Sequence, residues 1–232
     1  MVSNISVHYL GHSCFHITTP KAKILIDPFL TGNPMAAAKA EEVDCNFILV
    51  SHAHADHFGD AVAIAKRTGA TIVASYELAL YAGSQGAKVY PMGCGGGKDF
   101  SFGRVQLTIA HHTSSVDGPS GPVMVGAPVG FLITAEDRVI YFAGDTALTM
   151  DMQLLGDRKP IDLALLPIGD NFTMGPQDAA EAVRLLKPKL SVPMHYNTFE
   201  MIQVDPEVFV REAGKHGYQV SVLRPGDRIS LP

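Results

Sequence analysis

Cysteine is scarce in this chain. Its three cysteines, Cys14, Cys45 and Cys94, are an odd number at wide spacings. That pattern excludes a disulfide framework and suits reduced thiols packed as small apolar side chains. No two stand in a CxxC pair, so no cysteine-ligated zinc knuckle is encoded. Positive charge is also thin. The formal net charge is −5, and Lys and Arg are scattered without a run, which leaves no electrostatic footprint for nucleic acid. No apolar run approaches the ~20 residues that a membrane helix requires. The stretch "MVSNISVHYLGHSCF" has no charged segment followed by an apolar one, as a secretory leader would. A cytoplasmic protein that contacts neither nucleic acid nor membrane is expected. A linker and an internal repeat are missing too, while 47% of residues are hydrophobic, enough for a large core. One domain over residues 1–232 is expected, and a homo-oligomer is left open.

Histidine, by contrast, is concentrated. Of ten histidines, three fall with two aspartates in "SHAHADHFGDA", residues 51 to 61: His52, His54, Asp56 and His57 crowd into six positions. Imidazole nitrogen and carboxylate oxygen are ligands of zinc and similar divalent ions. The run before the motif, "FILVS", is short, apolar and partly β-branched, as in a buried strand, and "GDAVAIAKRTG" after it predicts a helix ending at Gly69. The motif therefore sits on a strand-to-helix turn. In extended backbone, side chains two apart point the same way, so His52 and His54 can hold one ion from one face. Asp56 and His57, past the turn, are free to face another point.

The rest of the chain predicts α/β architecture. "ISVHYL", "CFHIT" and "AKILIDPF" suggest a β-meander, and "FILVS", "TIVAS" and "KVYPM" alternate with helices as in βαβ units. "RVQLTIA", "PVGFLIT" and "RVIYFAGD" predict further strands, the last two joined by a tight "AEDR" turn. Then come "DLALLPI", a helix over "GPQDAAEAVRLLK", "LSVPMH", a helix over "DPEVFVREAGKHG", and a strand in "YQVSVLRPG". Polar groups collect where strands end. His52 follows "FILVS", Asp145 closes "VIYFAGD", Asp170 follows "LALLPIG" and His195 closes "LSVPMH". In open α/β folds, sites lie beyond the carboxyl ends of strands, so these groups are expected to meet at one edge. "GCGGGK", residues 93 to 98, lacks the Ser or Thr and the helix of a phosphate loop and predicts a plain loop. "SSVDGPSGPVMVGAP", residues 114 to 128, is long and rich in Gly and Pro and predicts a loop that lids the site.

Taken together, "YLGHSCF", "ILIDP", "SHAHADHFGD", "AHHTSS", "YFAGDT", "PIGDNFTMG" and "VPMHYNTF" resemble the metallo-β-lactamase superfamily, in its UlaG-like "metal-dependent hydrolase" group. The resemblance covers nearly the whole chain. It implies an αββα four-layer sandwich, two sheets packed face to face with helices outside, and a binuclear metal site at one edge. Carried over position by position, it implies that His52, His54 and His112 bind one metal, that Asp56, His57 and His195 bind the second, and that Asp145 bridges them. At 111 and 112 the two readings diverge: strand parity places His111 with Val105, Leu107 and Ile109, whereas the group's string points to His112. Asp27 is a candidate to orient a ligand histidine, or simply begins a turn before Pro28. His12, in the first hairpin turn, is a candidate on the substrate side, and Asp170, Asn171 and Thr173 are candidate substrate contacts.

The expected reaction is hydrolysis. Two cations about 3.5–4 Å apart lower the pKa of a shared water and polarise a carbonyl or phosphoryl oxygen. A metal-bound hydroxide then attacks an ester, lactone or phosphodiester bond of a small molecule, with Asp56 and Asp145 as the catalytic carboxylates. No GxSxG elbow or Cys/His pair offers another nucleophile. Two zinc ions are expected, with manganese or iron(II) as alternatives. The rival readings are a non-catalytic metal-binding or ligand-sensing protein of the same fold, and an iron-dependent redox enzyme.

Overall fold

The computed structural model describes residues 5–231. Residues 1–4 and 232, part of the expected 1–232 span and of the N-terminal stretch, lie outside the described residues. Six strands open the chain: β1 (Ile5–Gly11), β2 (Cys14–Thr18), β3 (Lys23–Ile26), β4 (Phe47–Leu49), β5 (Thr71–Ser75) and β6 (Lys88–Met92). β1 to β3 form the expected antiparallel meander, and β3 to β6 run parallel. The crossovers carry α1 (Ala55–Phe58), α2 (Ala61–Thr68) and α3 (Tyr76–Ser84). α2 stops where expected, at Gly69, whose φ of 75° is left-handed backbone that glycine adopts without a Cβ penalty.

The second half builds another sheet. It holds β7 (Gly97–Phe100) and β8 (Gly103–Ile109); then, past the separate hairpin of β9 (Ser115–Gly118) and β10 (Gly121–Met124), β11 (Val129–Ala135), β12 (Arg138–Phe142), β13 (Leu163–Pro167) and β14 (Leu190–Met194). Its order is β14-β13-β12-β11-β8-β7, parallel across β12, β13 and β14. α4 (Asp151–Arg158), α5 (Pro176–Leu186) and α6 (Pro206–Lys215) complete it. Pro176 opens α5 at a position that needs no amide proton, and the Asp205 carboxylate caps α6 by accepting from the Glu207 amide at 3.0 Å.

Period-two alternation makes the layers. Val7, Phe15, Ile17, Ile24 and Ile26 from one sheet meet Val105, Leu107, Phe131, Ile133, Phe142 and Leu165 from the other in one buried core. The alternate residues Leu25, Ile48 and Ile72 pack under Ile64, Leu78 and Ala82 of α2 and α3. Leu132, Tyr141, Ala164 and Leu166 pack under Met152, Val183, Leu186 and Phe209 of α4, α5 and α6. Helix, sheet, sheet and helix thus stack as the expected four-layer sandwich. Each fully buried Leu, Ile or Phe contributes about 1.5–3 kcal/mol of transfer free energy.

Five local expectations are corrected. "YQVSVLRPG" makes only one isolated bridge, Val220 to Ser191, and the terminal strand is instead β15 (Arg228–Leu231), pairing with β1. α4 was not anticipated; the only residue it buries fully is Met152, so its apolar stripe is too narrow to stand out. The plain loop at "GCGGGK" closes into β7 from Gly97, held by backbone pairing to β8 rather than by side-chain propensity. The Gly- and Pro-rich stretch forms the β9–β10 hairpin, and its base is tied down: Ser114 Oγ donates to Val125 O at 2.7 Å and accepts from the Ala53 amide at 3.1 Å. Of the three cysteines, Cys14 and Cys45 are buried as expected, but Cys94 is exposed.

Candidate metal centre

Seven segments meet at one edge of the sandwich, six of them bringing polar groups, and most lie just past strand ends. Asp27 follows β3, Ser51 to His57 follow β4, His112 lies beyond β8, Asp145 beyond β12, and His195 beyond β14. His12 sits in the β1–β2 turn, and Phe172 on the loop after β13. Of the seven described non-glycine residues with positive φ, four belong to this edge by sequence position: His12 (58°), Asp27 (42°), Asp170 (62°) and His195 (56°). Left-handed backbone at bulky residues costs free energy and persists only where surroundings enforce it. One enforcing contact is visible: the His195 amide donates to the His12 carbonyl at 2.9 Å, tying the two sheets together across the site. Gly169 makes room for this, since a Cβ there would lie 2.2 Å from the His195 carbonyl oxygen.

The side chains converge as two groups. His52, His54 and His112 present ligand atoms within 4.8 Å of one another, and so do His12, Asp56, His57 and His195. Asp145 stands between them. Its Oδ2 lies 2.9 Å from His195 Nε2, 3.2 Å from His57 Nε2, 3.7 Å from His112 Nε2 and 4.0 Å from His52 Nε2. Asp56 Oδ2 approaches His195 Nε2 at 3.6 Å and His57 Nε2 at 3.8 Å. Residues 111 and 112 point in different directions because the strand stops before them. β8 ends at Ile109, so parity does not extend to them; His111 turns outward toward Asp151 with its side chain 58% exposed, and His112 turns inward.

A buried carboxylate stands behind both groups. Asp27 Oδ2 contacts His57 Nδ1 at 2.7 Å and accepts from Ser51 Oγ at 2.5 Å, while Oδ1 accepts from the Ser51 amide at 2.7 Å. Because the Ser51 hydroxyl proton goes to Asp27, its oxygen accepts from His52 Nδ1, 2.9 Å away. With a cation bound, both imidazoles would keep their proton on Nδ1 and direct a bare Nε2 into the site. Sequence reasoning missed Ser51, whose only signal was its place beside His52. His12 is buried behind Asp56, not on the cavity wall: Nε2 lies 3.1 Å from Asp56 Oδ2 and Nδ1 2.9 Å from Thr198 Oγ1.

The charges follow from this packing. Burial lowers the pKa of His52, and neighbouring His57 adds to it; burial likewise lowers His54 and His112. These three are neutral imidazoles. Burial also works against a proton on His57 and His195, but Asp145 and Asp56 outweigh it: His57 rises well above the ordinary range, and His195 rises to about 9. Burial alone would raise Asp56 and Asp145, yet the surrounding histidines hold both below the usual carboxylate range. His12 is pushed down to about 4 by burial and stays neutral.

The donor set fits divalent cations. His57 Nε2 and Asp145 Oδ1 are buried without a hydrogen-bond partner, an arrangement that leaves polar atoms uncompensated unless a ligand meets them. His52 Nε2 and His54 Nδ1 sit 2.9 Å apart, sharing a hydrogen bond that a cation between them would replace. Nitrogen and oxygen donors with no thiolate among them suit zinc, manganese or iron(II).

A cavity of about 350 Å³ opens onto this centre, lined by His54, Asp56, His112, Thr113, Asp145, Phe172, His195 and Phe199. Asp170, Asn171 and Thr173, the expected substrate contacts, do not line it. The left-handed Asp170 and a turn closed by the Thr173 amide on the Asp170 carbonyl direct the loop so that Phe172, between them, does. The β9–β10 hairpin is also off this cavity; Ser115, Val116 and Asp117 line a neighbouring groove with His54 and Tyr81. No helix among the described residues is long and apolar enough to cross a membrane.

Comparison with known proteins agrees with the fold. Residues 6–195 match the family model described as "Beta-lactamase superfamily domain". A UPF0173 metal-dependent hydrolase of Bacillus cytotoxicus is 53% identical over 229 residues, covering 98% of this chain and all of that protein. One from Thermus thermophilus is 49% identical over 98% of this chain and 99% of its own length. Among solved structures, a metallo hydrolase from the archaeon Ignicoccus hospitalis superposes with a TM-score of 0.90 at 33% identity, over 99% of both chains. The sandwich is the metallo-β-lactamase fold, and the chain belongs to the β-lactamase superfamily and, within it, to the UPF0173 metal-dependent hydrolase family.

Proposed function

We propose that this chain is a metal-dependent hydrolase that cleaves an ester, lactone or phosphodiester bond of a small molecule in the cytoplasm. His52, His54 and His112 would hold one divalent cation, Asp56, His57 and His195 a second, and Asp145 would be shared; zinc is the first choice, with manganese or iron(II) as alternatives. The observation that carries this reading is Asp145 Oδ2, which lies within 4.0 Å of histidines from both groups. Bound there, the cations supply a water of lowered pKa and polarise the scissile carbonyl or phosphoryl oxygen. The chain supplies the rest. Asp27 keeps His52 and His57 in the ligating tautomer, directly for His57 and through Ser51 for His52. Asp56, on the cavity wall and fixed by His12, is placed to take up the proton of the attacking water at its carboxylate. Neutral His12, with Thr198 on its far nitrogen, holds that carboxylate in register.

Elemental analysis of wild type, His54→Ala and His195→Ala tests the assignment. About two equivalents per chain are expected in wild type and about one in each variant, with turnover of an ester and phosphodiester panel lost in both. No metal after reconstitution would overturn the reading. Tightly bound iron with oxygen consumption and no hydrolysis would replace it with redox chemistry.

A further inference from the structure

Two large aromatic side chains stand half exposed at the mouth of an otherwise polar site. Phe172 is 48% exposed and Phe199 39%, and both line the cavity that reaches Asp56, Asp145 and His195. Rings of this size normally find cover in the core, and uncovered ones grouped at a concave site are surface reserved for a ligand. Phe199 is held in place rather than left loose: its ring packs against His12 at 5.4 Å and Phe29 at 6.1 Å between centroids. Phe172 is presented by the turn from left-handed Asp170.

The same wall carries no Lys or Arg. Its eight lining residues include three histidines and two aspartates but neither Lys nor Arg. Sites that bind phosphate or carboxylate groups ordinarily supply Arg, Lys or a helix N-terminus in addition to any metal. Asp56 and Asp145 would spend their charge on the cations, and no Lys or Arg on this wall offers a partner to an anionic substituent extending past the centre.

We infer that the cavity selects an uncharged acyl compound, an ester or lactone, whose alkyl or aryl group packs against Phe172 and Phe199, and that phosphodiesters are not its substrates. The inference rests on the hydrolase reading and narrows it to one substrate class. In cleavage, the acyl carbon–oxygen bond breaks, water adds its oxygen to the acyl carbon, one of its protons ends on the leaving alcohol oxygen, and the other is released to solvent as the new carboxyl group ionises. No oxidant or second substrate is needed.

Three hydroxamates with a common metal-binding head test this on metal-loaded protein: acetohydroxamate, phenylacetohydroxamate and succinic monohydroxamate, whose tails are methyl, benzyl and carboxylate-bearing. Dissociation constants by calorimetry should show the benzyl compound at least about tenfold tighter than the methyl one, and the carboxylate compound no tighter than the methyl one. Phe172→Ala and Phe199→Ala should each shrink the benzyl preference to about threefold or less while metal equivalents stay at the wild-type level. Phe172→Lys should turn the preference toward the carboxylate tail. Equal affinity for methyl and benzyl tails, or tightest binding of the carboxylate compound by wild type, would overturn the inference. A matched assay on methyl phenylacetate, methyl acetate and bis(p-nitrophenyl) phosphate separates the two levels. A persisting benzyl preference with no ester or diester turnover supports the pocket assignment and overturns the hydrolase reading; diester turnover matching or exceeding that of methyl phenylacetate overturns the substrate class alone.

Discussion

Asp27 is the residue whose replacement separates architecture from chemistry. It makes no contact with the cavity, yet it reaches one histidine of each group: His57 directly at 2.7 Å, and His52 through the Ser51 hydroxyl. Asp27→Ala leaves the Ser51 amide and the His57 Nδ1 proton buried without acceptors, while the Ser51 hydroxyl can turn its proton onto His52 Nδ1. At about 1–3 kcal/mol for each orphan, a stability loss of about 2–6 kcal/mol is expected. Asp27→Asn keeps the shape and can still accept from the Ser51 amide, but it puts an NH2 donor where two donors now converge. His57 would then accept at Nδ1 and carry its proton on Nε2, the atom that faces Asp145. Loss of such an orienting partner weakens metal binding by about 10–100-fold, or ~1.4–2.7 kcal/mol. Ser51→Ala breaks only the His52 branch. Competition titrations with a chromogenic chelator should therefore show both cations weakened in Asp27→Asn and one in Ser51→Ala, with urea melts separating stability from affinity. Two cation affinities within about twofold of wild type in Asp27→Asn would refute the tautomer argument.

Metal uptake should strengthen with pH while the metal-free protein weakens. His195 is raised to about 9 from its ordinary 6.5, so its proton stabilises the metal-free fold fully below pH 6.5, and that contribution, about 3 kcal/mol, is lost as pH rises to 9. A cation must displace that proton and the one on His57, so apparent affinity should rise at least about tenfold per pH unit over this window, and the melting-temperature gap between zinc-loaded and metal-free protein should widen; a constant gap would argue against it. Gly169→Ala would drive a Cβ to within 2.2 Å of the His195 carbonyl oxygen, and the backbone shift should cost about 1–3 kcal/mol and the second cation, read by denaturation and elemental analysis. Phe142→Ala should cost about 3–5 kcal/mol in urea denaturation yet leave metal equivalents unchanged, because the ring packs on Phe15 and Phe131 in the core between the sheets.

Much of the fold was legible because its signals are local. The strands at Ile24, Ile48, Ile72 and Leu165 are short apolar runs, and α2 and α5 carry their own stops and starts at Gly69 and Pro176. Elements defined by partners were not. β7 exists because β8 offers it a ladder, the β9–β10 hairpin is hidden by its own Gly and Pro content, and β15 depends on the edge of β1.

The site divides the same way. The sequence by itself determined which groups are available: an imidazole- and carboxylate-rich turn at residues 52 to 57, with Asp145 and His195 closing later strands. Chain order states what each strand end carries, and βαβ logic places those ends at one edge. Only the tertiary structure decided the rest. It turned His112 inward and His111 outward, made Asp27 and Ser51 set the tautomers of His52 and His57, put His12 behind Asp56, and chose Phe172 over its polar neighbours as cavity wall. These outcomes depend on distances between segments far apart in the chain and on side-chain directions past the strand ends, where the period of two no longer holds. No pattern along the sequence encodes either.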